Sequence, residues 1–320
     1  MTHTRTTTVA GLTLAIVLSA GTIAHADGSK SLLWVQPLRD HPVHKLMQAG
    51  FLDQCKKLGY DCEVVGNPSA SVYDVTATIP LAEAAMARKS FAAAAVYTPD
   101  PAIFPFIGKL ARGGLPVVTW HMMPAEGSVK GLLSTTGEDV TQAGTAAADA
   151  MGEAIGGKGS VAVTQSASNT TENEMARSFK AELNKTYPAV KVLDVQFEGV
   201  EPNAARAKAV SILQANPDVN AAFSTTGYGP QTWSGAKRTT GRDLTIISMD
   251  YTRQNLDLVK SGQVYGLVAQ PLYEEGARAA DLAANLAEKK PVEYLNTIPA
   301  KVITKNDLAP YYRILDGAGQ

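Results

Sequence analysis

The chain has 320 residues, with 29 basic and 30 acidic side chains and a formal net charge of −1. No basic excess exists to hold nucleic acid or an anionic membrane surface. Hydrophobic residues make up 45%, which is ordinary for a globular protein, and only one long apolar run occurs, at the N-terminus.

Residues 1–26 read as a cleavable secretory signal. Arg5 lies in a short polar start, an uncharged run covers residues 6–24, and the segment closes on Ala24-His25-Ala26. A basic start, an apolar middle and a small-x-small end are the pattern of a signal peptide. The strongly apolar part, residues 9–20, is shorter than the ~20 residues of a spanning helix. The mature protein is therefore expected to begin near Asp27 and to work in the periplasm. About 294 residues then remain, enough for two lobes with separate cores.

In chain order, near-continuous apolar runs predict strands at residues 32–35, 61–65, 92–97, 116–120, 131–134, 160–164, 191–197, 221–225, 244–249 and 265–269. Helical patterns fall between them, at 43–58, 75–88, 102–112, 140–155, 173–187, 203–215 and 272–288. Gly59, Gly113, Gly156 and Gly262 fall where helix C-caps are expected. Apolar strands alternating with helices predict βαβ units and parallel sheets buried on both faces. Ten strands would crowd one sheet, so two doubly wound lobes are expected. The small polar stretch Ser134-Thr135-Thr136-Gly137 is a candidate first crossing between them. Cys55 should lie late on a helix and Cys62 at the start of the next strand. An oxidising compartment permits a disulfide there, and two buried thiols are the alternative.

Motifs for turnover are absent. The sequence contains no G-x-S-x-G elbow, no H-E-x-x-H helix, no G-x-G-x-x-G and no G-x-x-x-x-G-K-[ST]. Gly156-Gly157-Lys158-Gly159 fits a helix end followed by a strand better than a phosphate loop. Glu172 and Glu174, two apart on a helix, point to different faces and suit a helix N-terminus.

Four signatures give the chain a resemblance to the periplasmic solute-binding proteins of sugar ABC transporters, the ribose-binding-protein-like class with the type I fold. These are Val35-Gln36-Pro37-Leu38 with Asp40-His41-Pro42, then Gly114-Leu115-Pro116-Val117-Val118-Thr119-Trp120, then the run from Ala215-Asn216-Pro217-Asp218 to Phe223, and finally Ser248-Met249-Asp250 with Ala269-Gln270-Pro271. From residue 114 onward the chain looks most similar to the autoinducer-2-binding members. The resemblance implies two α/β lobes joined by a three-crossing hinge. It implies a first lobe of residues 27–135 plus 271–295 and a second of 136–270 plus 296–320. The ligand would lie between the lobes at the carboxyl ends of the strands, and closure would bury it.

The resemblance also implies a ligand-binding set: Gln36, His41 and His44 after the first strand, His121 after Trp120, Glu172 and Asn173 at a helix start, and Thr226, Asp250 and Gln270. Asp250 and Gln270 match without substitution. A short carboxylate accepts hydroxyl protons, and an amide both donates and accepts. Two departures stand out. Val43 and His44 replace a pair of aromatic residues, and His121-Met122 stands where the family usually offers Asp, often followed by Arg. Trp120 could stack on a sugar face or pack in the core. Capping is the alternative for Glu172 and Asn173, and a half-exposed helix start for His44.

Of five histidines, the three beyond the signal, His41, His44 and His121, all fall in two expected cleft loops. This leaves open a partly anionic ligand, a pH-sensitive site or a metal. The expectation is a monomeric, non-enzymatic binding protein without cofactor or resident metal. It would carry a monosaccharide, polyol or sugar acid to an ABC permease in the inner membrane. The alternatives are an autoinducer-type receptor that presents its ligand to a membrane signalling partner, and a secreted enzyme on the same fold.

Overall fold

The computed structural model of the chain describes residues 1–2, 30–68, 74–98 and 101–320. The signal-like segment lies outside these residues, but for Met1 and Thr2.

The first sheet has six strands in the order β12-β5-β4-β3-β1-β2. They are β1 (Ser31–Leu38), β2 (Asp61–Asn67), β3 (Ala93–Tyr97), β4 (Val117–Trp120), β5 (Ser134–Glu138) and β12 (Leu295–Ile298), and every pairing is parallel. The second sheet follows the order β13-β11-β10-β9-β6-β7, with β8 also on β6. Its strands are β6 (Gly159–Gln165), β7 (Val190–Val192), β8 (Gln196–Phe197), β9 (Val219–Ser224), β10 (Thr245–Met249), β11 (Gly266–Ala269) and β13 (Lys301–Thr304). All pairings are parallel except β11 with β13. The chain passes between the sheets three times, after Glu138, after Ala269 and after Ile298. This is the expected architecture of two parallel-sheet lobes and a three-stranded hinge.

Helices cover both sheets: α1 (Pro42–Lys57), α2 (Ile79–Arg88), α3 (Phe104–Arg112), α4 (Val140–Ala154), α5 (Thr170–Thr186), α6 (Pro202–Ala215), α7 (Gly229–Thr240), α8 (Arg253–Lys260), α9 (Leu272–Ala287) and α10 (Leu308–Gly317). The strand interiors are almost wholly buried, from Leu32 to Val35 and from Ala93 to Val96, as helices on both faces require. Helix α9 returns from the second sheet to pack on α1. A methyl group at Gly50 or Gly276 would collide with the backbone of Tyr273 or Met47, so these glycines set the closeness of the helix pair.

Three of the predicted caps, Gly59, Gly156 and Gly262, have positive φ. At the fourth, the left-handed residue is Gly114, one beyond Gly113. Cys55 and Cys62 form a disulfide with Cα atoms 6.3 Å apart, clipping the end of α1 to β2.

Three expectations need correction. The strand expected at 131–134 lies further on, as β5, and the stretch Ser134-Thr135-Thr136-Gly137 is a fully buried strand with the crossing after it. Its polarity is absorbed internally. The Ser134 hydroxyl donates to the Glu293 carbonyl at 2.7 Å and Thr136 to the Asn296 carbonyl at 2.9 Å, while Thr119 donates to the Thr135 hydroxyl at 2.7 Å. The run 191–197 is two strands, β7 and β8. β12 and β13 were not anticipated, because Leu295-Asn296-Thr297-Ile298 alternates like an edge strand rather than forming an apolar run.

Candidate functional site

Every sequence-predicted site residue lies at or just beyond the carboxyl end of a parallel strand, or on the helix that follows it. The two lobes meet there with different chemistry.

On the first lobe the wall is aromatic. Pro42 opens α1 at a position where its missing N–H costs nothing. His41 is then the N-cap residue, without a side-chain cap bond, and His44 follows three residues on, on the same face. Their rings lie 5.4 Å apart. His44 is buried, with its ring edge-on to Tyr97 at 5.3 Å and to Trp120 at 6.0 Å. Burial, with the nearby His41 and His121, pushes the His44 imidazole down to about 3, and burial also lowers His41. Both are neutral rings at pH 7. Tyr97 in turn lies nearly parallel to His121, with centroids 5.8 Å apart.

Trp120 is the back of this wall rather than its surface. It is 0% exposed and stacks on Trp34 at 4.0 Å, which is the core-packing role. Gln36 is also turned inward. It is fully buried, accepts from the Trp34 indole at 2.5 Å, and donates to the Arg39 carbonyl at 3.1 Å and the Gln48 side chain at 3.0 Å.

On the second lobe the wall is built from hydroxyls, amides and carboxylates. Asn169 caps α5 by accepting from the Glu172 backbone N–H at 2.9 Å. The Glu172 carboxylate accepts from Ser166 N–H at 2.6 Å, Ser166 hydroxyl at 2.5 Å, Asn169 amide at 2.8 Å and Thr225 hydroxyl at 2.9 Å. Its work is to bind the loops after β6 and β9 together, which is the capping alternative extended to a second loop. Asn173 accepts from Gln165 at 2.7 Å and donates to Ser168 at 3.2 Å. The Thr226 hydroxyl donates to Glu198 at 2.8 Å, and Ser224 donates to the same oxygen at 3.1 Å.

Between the walls stands a group of ionisable side chains at the hinge and on the strand ends beside it. His121, directly after β4, has φ +68, and Asp250, directly after β10, has φ +69. Left-handed backbone at residues other than glycine costs on the order of 1–3 kcal/mol and clusters at functional positions. His121 Nδ1 lies 2.9 Å from Glu275 Oε2, at the start of α9. Burial opposes charge on His121, but the Glu275 ion pair and hydrogen bond, with Glu138 and Asp250 nearby, raise it above its ordinary value. Gln270 donates to Glu138 Oε2 at 2.9 Å, linking two of the three hinge crossings. Burial lifts Glu138 up to about 7, opposed by the Gln270 hydrogen bond and His121 and reinforced by Glu275 and Asp250. Burial likewise lifts Asp250 up to about 6, against the pull of His121. Asp250 Oδ1 is buried without a hydrogen-bond partner. Gly227 leaves room opposite it, where a methyl group would press on the Asp250 carboxylate.

Sequence reasoning missed Glu138, Glu198 and Glu275. Glu275 left a trace: it sits with Leu272, Gly276 and Ala279 on the buried face of α9, where an acid is out of place. Glu138 and Glu198 left none. Among the described residues, no group of three or more His, Cys, Asp or Glu is arranged to hold a metal ion. No helix among them is long and apolar enough to cross a membrane.

Two sheets linked by three crossings, with polar loops converging where their strands end, define a two-lobed ligand-binding protein. The chain matches the periplasmic binding protein domain over residues 33–291, and it belongs to that family. Its fold is similar to that of AraP, an arabinose-binding protein from Geobacillus stearothermophilus, at 25% identity and a TM-score of 0.79, over 88% of this chain and 99% of that one. It is also similar to the sugar-binding protein of a sugar ABC transporter from Bacillus halodurans, at 24% identity and a TM-score of 0.78, over 88% and 100% of the two chains. A third similar structure is an ABC transporter solute-binding protein from Agrobacterium vitis bound with α-D-tagatopyranose, at 21% identity and a TM-score of 0.71, over 87% and 96%.

Proposed function

We propose that this protein is a non-enzymatic solute-binding protein. It captures a small sugar-like ligand between its lobes and hands it to an ABC permease. One observation carries this: the strand ends of two separate sheets present an aromatic wall and a hydrogen-bonding wall to the same hinge. A pyranose or polyol has apolar C–H faces and a rim of hydroxyls. Rings such as Tyr97 and His44 suit the faces, and Asp250 and Gln270 suit the rim. The family match and the arabinose-binding relative at 25% identity support the reading.

In this reading the protein acts in the periplasm as a monomer after removal of residues 1–26. N-terminal sequencing of the exported protein tests the cleavage, with Asp27 expected first. The function itself is tested by a thermal-shift screen of monosaccharides and polyols. A ligand that binds only the folded form raises stability by ~2.7 kcal/mol at a hundredfold excess over Kd. Small-angle scattering with a hit should show a smaller radius of gyration as the lobes close. Failure of every sugar and polyol to shift the melting temperature would overturn the reading.

A further inference from the structure

The polar lining of the cleft is one-sided in charge. Glu138, Glu275 and Asp250 surround His121 at the hinge, and Glu172 and Glu198 stand behind the second-lobe loops. Among the described residues no lysine or arginine pairs with any of the five, and the one cationic partner is His121, held by Glu275. The arginines nearest in sequence to the strand ends are engaged elsewhere, Arg39 with Asp40 and Arg253 with Asp316.

A group of acids is not a site by itself. Here the carboxylates are also left short of donors inside the protein. Glu275 is 0% exposed and Glu138 4% exposed, yet Oε1 of each is buried without a hydrogen-bond partner, as is Asp250 Oδ1. Protein interiors rarely leave charged acceptors unpaired, because the desolvation penalty goes uncompensated. Three acceptor oxygens from β5, α9 and the loop after β10 thus remain unpaired around one imidazole. Glu138 is close enough to Glu275, His121 and Asp250 to feel all three electrostatically. A further anion brought to this place would meet repulsion from three acids and attraction from one histidine. A neutral hydroxyl would satisfy one oxygen. An ammonium group, with several N–H donors and a positive charge, answers both the unpaired oxygens and the charge.

We infer that the ligand is a polyhydroxylated molecule bearing an amino group, an amino sugar or amino polyol, with its ammonium among Glu138, Asp250 and Glu275. This rests on the sugar-binding reading above and narrows it. It sets aside the sugar acids that the three histidines suggested from sequence, because each histidine is accounted for differently. His41 and His44 are neutral rings of the aromatic wall, and His121 is already paired.

The test is calorimetry with matched triplets: glucose, glucosamine and glucuronate; galactose, galactosamine and galacturonate; mannose, mannosamine and mannuronate. The expected result is that in the best-binding triplet the amine binds at least tenfold more tightly than the neutral sugar, and the acid binds least. That preference should shrink toward unity in Asp250→Asn and Glu138→Gln, each of which keeps the shape and removes one charge. Amine affinity should also rise from pH 5 to pH 7, as the raised carboxyls of Glu138 and Asp250 ionise. A neutral sugar that binds as well as or better than its amine overturns the inference and leaves the sugar-binding reading intact, as does an amine preference unchanged in both variants. A preference for the acids overturns it in the opposite sense. A panel in which no member binds, while the wider screen finds a neutral sugar or polyol that does, overturns the inference alone.

Discussion

The first-lobe and second-lobe walls that meet at the strand ends are held together in different ways. The first spends its sequence on rings: Trp34, Trp120, Tyr97, His44 and His121 are linked by centroid distances of 4.0 to 6.0 Å. Its rigidity comes from packing, so the wall is continuous with the core. The second lobe also stacks rings, Phe179 on Phe223 at 4.1 Å, but within its core. Its loops are held by hydrogen bonds centred on carboxylates, with Glu172 gathering two loops and Glu198 gathering Ser224 and Thr226. Packing resists volume change, whereas a hydrogen-bonded loop resists the loss of a partner. The two walls should therefore respond differently to mutation, and the hinge group between them should respond to pH.

The largest expected effect tests the packed wall. Trp120→Ala should destabilise the folded protein by ~3–5 kcal/mol, the usual cost of emptying a large buried aromatic, read from urea unfolding. Intact stability with lost binding would move Trp120 from the core to the ligand surface and erase the contrast.

Asp250→Ala addresses the hinge. It should weaken ligand binding by ~1–3 kcal/mol, the cost of leaving buried partners unpaired. Thermal stability should hold or rise, since a carboxylate with an unpartnered buried oxygen is removed. Calorimetry and a melting curve on the same preparation give both numbers. Unchanged affinity would detach the residue from the site.

Glu138 sharpens the pH side of the comparison. Its carboxyl is raised from 4.5 in the unfolded chain to about 7 in the fold. Folding therefore favours the protonated form. The stability it contributes is fully present below about pH 4.5 and is lost as pH rises through about 7. The ligand-free wild type should lose melting temperature across that window relative to Glu138→Gln, by the equivalent of roughly 1–3 kcal/mol. Parallel curves for the two proteins would show that Glu138 is ionised throughout. Asp250 should add a smaller loss in the same direction around pH 4 to 6.

The smallest effect probes the hydrogen-bonded wall. Thr226→Val keeps the shape and removes one donor to Glu198, leaving Ser224 on that oxygen. A loss of ~0.5–1.5 kcal/mol in stability is expected, with a modest drop in affinity. A loss as large as that of Trp120→Ala would mean that the second wall is also held as a packed unit.

The repeating β-α order was legible because buried parallel strands must be apolar on both faces and surface helices on one. Residues 93–96 or 221–223 therefore announce themselves without any partner. The same rule explains what was hidden. β5 is polar, and only its neighbours Asn296, Glu293 and Thr119 make its burial tolerable. Helix α7 carries few large apolar residues, α8 is only eight residues long, and β12 and β13 are four-residue edge strands, so each offers too short or too polar a stretch to stand out. The resemblance to the solute-binding family singled out Asp250, Gln270 and His121, and the structure places each at or just beyond a strand end. What each side chain meets could not be found that way.

The amino-acid sequence by itself determined the parallel α/β architecture, the strand ends where a ligand would sit, and the residue types at them. Local periodicity and turn chemistry depend only on near neighbours. The tertiary structure alone decided that His121 faces Glu275 across 154 residues, that Gln270 is engaged by Glu138, and that Gln36 and Trp120 turn inward. Those outcomes depend on distances between elements far apart in the chain. The charge balance of the cleft, three carboxylates around one imidazole, exists only once the hinge crossings bring them together.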